Sequence, residues 1–225
     1  HMNVTLLSLV AVGLHSFSPL FANVPSLTIN NCKFINHYSS IIYSYKIPFR
    51  SYHIDHSLFN SILNTAINMD SIEDKTYTQT LVDRGDLPQF DVRNSLFMKC
   101  VSASEGGGIR MGSEISETIF TILYTGFTQC RALNGDAFYS QTRELVLMAS
   151  CIDLCPNTAV YAKSKSSIRF TQATITNSRL DSPLSSNILE ITRSNISKNT
   201  NQLNLKSTAY NLIMSNINYL SNTGP

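Results

Sequence analysis

One spacing pattern recurs along this chain and leaves few folds open to it. Phe90 and Val92 lie two apart, Ser95 follows three later, Phe97 two later and Cys100 three later. Steps of two keep side chains on one face of a strand, and steps of three mark a bend or a switch of face. Phe120, Ile122, Thr125, Phe127 and Cys130 keep these offsets, as do Leu145, Leu147, Ser150, Ile152 and Cys155. Downstream come Ile168, Phe170, Ala173, Ile175 and Ser178, then Leu189, Ile191, Ser194, Ile196 and Asn199, then Tyr210, Leu212, Ser215, Ile217 and Leu220. Upstream, Tyr52, Ile54, Ser57, Phe59 and Ile62 fit, and so do Leu27, Ile29, Cys32, Phe34 and His37. The amino end fits loosely through Val4, Leu6, Leu9, Ala11 and Leu14, and is read as a first coil rather than as a secretory signal. A unit this small cannot bury its apolar face alone, so its copies must stack.

The first positions of successive units, from Val4 to Tyr210, are separated by 23, 25, 38, 30, 25, 23, 21 and 21 residues. Fixed strands with gaps of varying length are what stacked coils produce. Shorter second strands are expected at 19–23, 40–43, 66–69, 108–111, 137–140, 159–162 and 202–205, several of them preceded by turn residues such as Gly106-Gly107-Gly108. The expected fold is therefore all-β, a right-handed parallel β-helix of about nine coils with two main strands each, about 40 Å long at the usual strand spacing. A sandwich of hairpins would need tight Asn-Gly or Asp-Gly turns, and there is one Asn-Gly, at 134–135. The repeat spans residues 1–225 as one domain, with a long, acidic loop insertion at 70–89.

Phe97-x-x-Cys100 followed by Gly106-Gly107-Gly108-Ile109 resembles the F-x-x-N and G-G-A-I repeat of polymorphic outer-membrane-type surface proteins. Phe127-x-x-Cys130 with Gly135-Asp136-Ala137-Phe138 is a looser copy. More broadly, the chain is similar to right-handed parallel β-helices of the pectate-lyase-like superfamily. The resemblance implies a pectin-lyase-like solenoid at a cell surface or outside the cell. It also implies that enzymes of this fold place calcium-binding carboxylates and a basic Arg or Lys on an outer strand face; the carboxylates here are too few for that arrangement.

Composition narrows the partners. Charged residues are 14%, hydrophobic residues 43%, Trp is absent and the formal net charge is +2, with Lys and Arg scattered, so no nucleic-acid partner is expected. Lys163, Lys165 and Arg169 form the densest basic group and read as solvated surface. No apolar run is long enough for a membrane span. Five Cys, an odd number, exclude a closed set of disulfides; Cys100, Cys130 and Cys155 share one repeat position and read as a column of buried thiols. Neither a zinc site nor a nucleotide or nucleophile motif is present, so no metal and no cofactor is expected.

With alternate positions facing inward, His53 is expected to lie over Asp91, and Asp55 over Arg93, on an outer face flanked by Thr28 and Asn30. Such a group could bind a sugar acid or a cation, supply acid and base, or be a solvated cross-strand charge cluster. His53, Asp55, Asp91, Arg93 and Tyr124 are thus the candidate ligand-binding residues. The first four would be the catalytic groups if the chain were a polysaccharide lyase or glycoside hydrolase. Thr121, Leu123, Val146 and Met148 extend this face as an apolar stripe, and the 70–89 insertion is expected to fold back near His53 and Asp91, or to be disordered. Tyr38, Tyr43, Tyr45 and Tyr52 offer rings for stacking on sugar. The reading is a non-enzymatic adhesion-type module binding carbohydrate or a protein partner, against the enzyme and against a structural, self-assembling rod. The final coil lacks a polar cap, which suggests a segment of a longer β-helix or end-to-end self-association.

Overall fold

The computed structural model describes residues 3–13, 17–45, 51–70, 87–112, 117–179, 184–199 and 211–220. These residues form strands and no helix. All strand pairing is parallel and joins each coil to the next, which is a β-solenoid. The first face stacks β1 (Asn3–Leu7), β4 (Ser26–Asn30), β7 (Ser51–Asp55), β10 (Gln89–Arg93) and β13 (Ile119–Leu123). It continues through the second parts of β15 (Phe138–Met148) and β17 (Val160–Thr171), then β20 (Ile188–Thr192) and β22 (Asn211–Ser215). The second face stacks β2 (Val10–Val12), β5 (Lys33–His37), β8 (Leu58–Ile62), β11 (Leu96–Met98), β14 (Gly126–Thr128), β16 (Cys151–Asp153), β18 (Thr174–Thr176), β21 (Asn195–Ser197) and β23 (Asn218–Leu220). The third comprises β3 (Phe21–Ala22), β6 (Ile42–Tyr45), β9 (Ile67–Asp70), β12 (Ile109–Met111), the first parts of β15 and β17, and β19 (Leu184–Ser185).

Each turn thus carries three strands rather than two. The step of three within the repeat is a corner that divides what reads as one long strand. Seven turns have all three strands; the last two show first- and second-face strands among the described residues, which corrects the count of nine full coils. The final turn is also shifted. Leu189 pairs with Leu212 and Ile196 with Tyr219, so Leu212 takes the first position expected for Tyr210. A slip of two keeps every side chain on its own face, so alternation alone cannot distinguish the two registers. The second strand expected at 202–205 lies outside the described residues.

Corners need backbone conformations that side chains resist, and they recur at fixed places. His56, Asn94, Tyr124, Ala149 and Gln172 have positive φ at the first corner; Asn36, Ser61, Lys99, Gln129, Leu154, Asn177 and Lys198 do so at the second. Asn tolerates this region better than Tyr, Ala or Leu do, so only part of each column carries a turn signal. At the glycine turn, a Cβ on Gly107 would sit 2.5 Å from the Asp136 carbonyl oxygen and 2.8 Å from that of Arg131. Neighbouring coils can therefore approach here only because that side chain is missing.

The small residue at the first corner has a defined task. The backbone N–H groups of Cys32, Ser57, Ser95 and Thr125 donate to the hydroxyl of the next coil, from Ser57, Ser95, Thr125 and Ser150 in turn, at 3.1 to 3.5 Å. Each of these hydroxyls donates onward to the carbonyl two residues earlier. Cys32 plays the same part with sulfur, accepting from the Leu9 N–H at 3.4 Å. The ladder is interrupted at Ala173, which offers no acceptor, and resumes where Ala173 itself donates to Ser194. Ala173→Ser is expected to stabilise the fold by about 1 kcal/mol by completing it; an unchanged or lower midpoint in urea would count against this role.

Inside, one continuous core runs from Val24 to Ile196. Phe34, Phe59, Phe97 and Phe127 stack on the second face, with ring centroids 5.2, 4.7 and 5.0 Å apart. Cys100, Cys130 and Cys155 are buried as expected and Cys151 is exposed; all five thiols are free. The non-polar rings and small thiols fill the positions that the repeat offsets predict, which leaves the alternate side chains to form the outer faces.

Candidate functional site

The outer side of the first face is built by register. His53 pairs with Thr28 below and Asp91 above, and Asp55 pairs with Asn30 and Arg93, as the offsets predict. The side-chain contacts differ from that simple stacking. His53 Nδ1 lies 3.2 Å from Asp91 Oδ2, and Arg93 turns back along its own strand to the same oxygen at 3.4 Å. Asp55 is held instead by the Asn94 amide at 2.9 Å and by the His56 backbone N–H and ring at 3.0 Å. Burial works against ionisation of Asp55, but these bonds outweigh it and hold the carboxyl below its ordinary value. Asp91 is largely enclosed, with its side chain 12% exposed, whereas the His53 ring is 44% exposed. The Asp91 carboxylate orients His53 and offers little of itself to a ligand. Tyr124 stands apart at the first corner, 62% exposed and flanking the apolar stripe rather than the His53 cluster.

Along that stripe Thr121, Leu123, Val146 and Met148 are intermediate in burial. The expected fold-back of the 70–89 insertion over His53 and Asp91 concerns residues 71–86, which lie outside the described residues. Beyond the stripe, Arg169 lies 3.0 Å from Glu144 and 3.7 Å from Glu190, while Lys165 and Arg143 meet Glu117 at 2.6 and 3.0 Å. Partial burial raises the Glu117 pKa, yet the two cations prevail and hold it below its ordinary value. Lys165 and Arg169 are therefore cross-coil ion-pair partners as well as solvated surface. The early tyrosines separate too: Tyr52 is core, Tyr43 stacks on Tyr45 at 6.3 Å, and Tyr38 is exposed beside Phe17.

An open groove lies at the second corner, where the sequence offered no site. An axial groove of about 550 Å³ crosses four turns, lined by Lys99, Val101, Gln129, Arg131, Leu154 and Asn177 together with Pro156. Its near wall is the positive-φ column; its far wall is the next outward column, set by the bridge that pairs Val101 with Arg131. A smaller hollow of about 320 Å³ continues the same column through Asn36, Ser61, Tyr38 and Leu63. The signal was present in outline, because Lys99, Gln129, Leu154 and Asn177 each precede the last position of a repeat unit. Their identities share no motif, so only the geometry assembles them.

No family model, curated protein or solved structure matches this chain. Its chemistry rests on its own geometry. Among the described residues no group of three or more His, Cys, Asp or Glu is placed to hold a metal ion, and no helix is long and apolar enough to cross a membrane. What the groove can do is bind: amides for hydrogen bonds, exposed apolar side chains for the C–H faces of a ligand, two cations, and a straight path along the axis.

Proposed function

We propose that this β-solenoid is a recognition module, without turnover, that binds a linear carbohydrate in the second-corner groove. One observation carries the reading: a groove extending over four turns pairs exposed Val101, Leu154 and Pro156 with the amides of Gln129 and Asn177. Carbohydrate recognition uses that mixture of apolar contact and oriented polar groups. Repeating turns suit a repeating polymer, since each coil presents an equivalent position one strand spacing farther along. The Phe97-x-x-Cys100 and Gly106-Gly107-Gly108 features, which resemble surface-protein repeats with Cys in place of Asn, favour a setting at the cell surface or outside the cell.

A second reading rests on the His53 and Asp91 pair at 3.2 Å, where a carboxylate-held imidazole could act as acid and base on a bound chain. One experiment separates the two. Soluble neutral and acidic polysaccharides are titrated into the protein, and the mixtures are assayed for new reducing ends and unsaturated products. Binding with no product is expected, with Leu154→Ala weakening affinity about fivefold to tenfold and Asp91→Asn leaving it unchanged. Product formation abolished by Asp91→Asn would replace this proposal with the enzyme.

A further inference from the structure

Several cations on the other faces are committed to carboxylates. Arg93, Arg110, Arg143, Lys165 and Arg169 each lie within 4.0 Å of one. Lys99 and Arg131 differ: both are exposed, both line the groove, and neither has an ion-pair partner among the described residues. Arg131 interacts through its charge with Asp136, beyond ion-pair distance: burial of that carboxyl, which is fully enclosed, raises its pKa and the Arg131 charge opposes the rise. The two Asp136 oxygens accept from the backbone N–H groups of Ala132 at 2.5 Å and Asn157 at 2.6 Å. Asp153 borders the far end, where Thr176 and Asn177 donate to its Oδ1 at 2.9 and 2.7 Å. Lys198 continues the positive-φ column beyond Asn177, and Arg179 follows Pro156 in the outward column, its N–H bonded to the Cys155 carbonyl. The corner is thus more basic than the protein as a whole.

We infer that the groove selects an acidic polysaccharide, a linear chain carrying carboxylate or sulfate groups, with Lys99 and Arg131 as its anion-reading residues. This rests on the carbohydrate reading above and narrows it. Lys99 and Arg131 come from adjacent turns and lie on opposite walls, so they can meet anionic groups on neighbouring sugar units. Val101, Leu154 and Pro156 supply contact for the sugar rings between those groups. Nucleic acid fits less well, because single strands are held by bases stacked on aromatic rings and no residue lining this groove is aromatic.

The test uses the full chain and calorimetric titration with three probes: polygalacturonate, a sulfated glycosaminoglycan, and a neutral glucan of matched length. At least one acidic probe is expected to bind tenfold or more tightly than the glucan, with affinity falling as salt rises. Lys99→Gln combined with Arg131→Gln is expected to remove that preference, bringing the acidic probes to within about twofold of the glucan; both side chains are exposed, and the thermal midpoint is measured alongside. The better acidic probe identifies carboxylate or sulfate as the group read. Equal, salt-independent binding of all three probes would overturn the charge selection and leave carbohydrate recognition standing. No binding of any of them would overturn both, and tighter binding of single-stranded DNA at matched charge would overturn the choice of ligand.

Discussion

Phe97→Ala is expected to destabilise the protein by about 3–5 kcal/mol, the range for deleting a buried aromatic ring when the cavity cannot close. Phe97 is fully buried, with Phe59 4.7 Å away on one side, inclined by 1°, and Phe127 5.0 Å away on the other, inclined by 11°. Collapse into the space is resisted because both neighbours belong to strands fixed in register with β11. The Phe127 ring is also hemmed in by the glycine turn, where a Cβ on Gly108 would lie 3.0 Å from it. Phe97→Leu keeps much of the volume and is expected to cost about half as much. Urea unfolding of both variants measures the pair. A loss below about 1 kcal/mol for the Ala variant would mean that the stack relaxes and that the column is not the rigid centre of the fold.

Raising the pH above 9 is expected to destabilise the fold. Burial pushes the Cys100 thiol well above its ordinary value of 9.0, with the neighbouring Cys130 adding to the shift, and burial raises Cys155 in the same direction. Burial also lifts the Tyr52 phenol to about 12; it donates to the Val24 carbonyl. The folded state thus keeps protons that the unfolded chain releases. The stabilising contribution of these groups is fully present below pH 9 and is lost as pH rises from there toward the folded-state values. Each thiol that stays protonated in the fold lowers stability by about 1.4 kcal/mol per pH unit over the interval between its unfolded and folded values, and Cys100 and Cys155 act in the same direction. Denaturant midpoints at pH 8, 9, 10 and 11 follow the fall, and a Cys100→Ala, Cys155→Ala double variant is expected to flatten it. A wild-type midpoint constant to pH 11 would exclude the thiol column as its cause.

The inner faces were legible because burial imposes a repeating choice. At Phe90, Val92, Phe97 and Cys100 every coil needs an apolar or small side chain, and the offsets survive loops of different length. The third strands were harder to place. Their distance from the second corner varies, so Ile42 and Ile109 share a column without sharing an offset. The His53, Asp55, Asp91 and Arg93 register followed from the alternation, whereas the partner each charge chooses depends on rotamers that alternation does not constrain. The groove was hidden for another reason. Its walls come from corner positions where the demand falls on backbone conformation, and Lys99, Gln129, Leu154 and Asn177 meet that demand with unrelated side chains.

Pairing between β7 and β10 stays in perfect register although their first core residues, Tyr52 and Phe90, are 38 positions apart, while Ile168 and Leu189 achieve the same pairing across 21. Added chain is accommodated outside the paired strands, so each winding can gain or lose residues without disturbing the one above it. A protein built this way can change what it displays along its flank coil by coil, each modification being free of consequence for the rest of the stack.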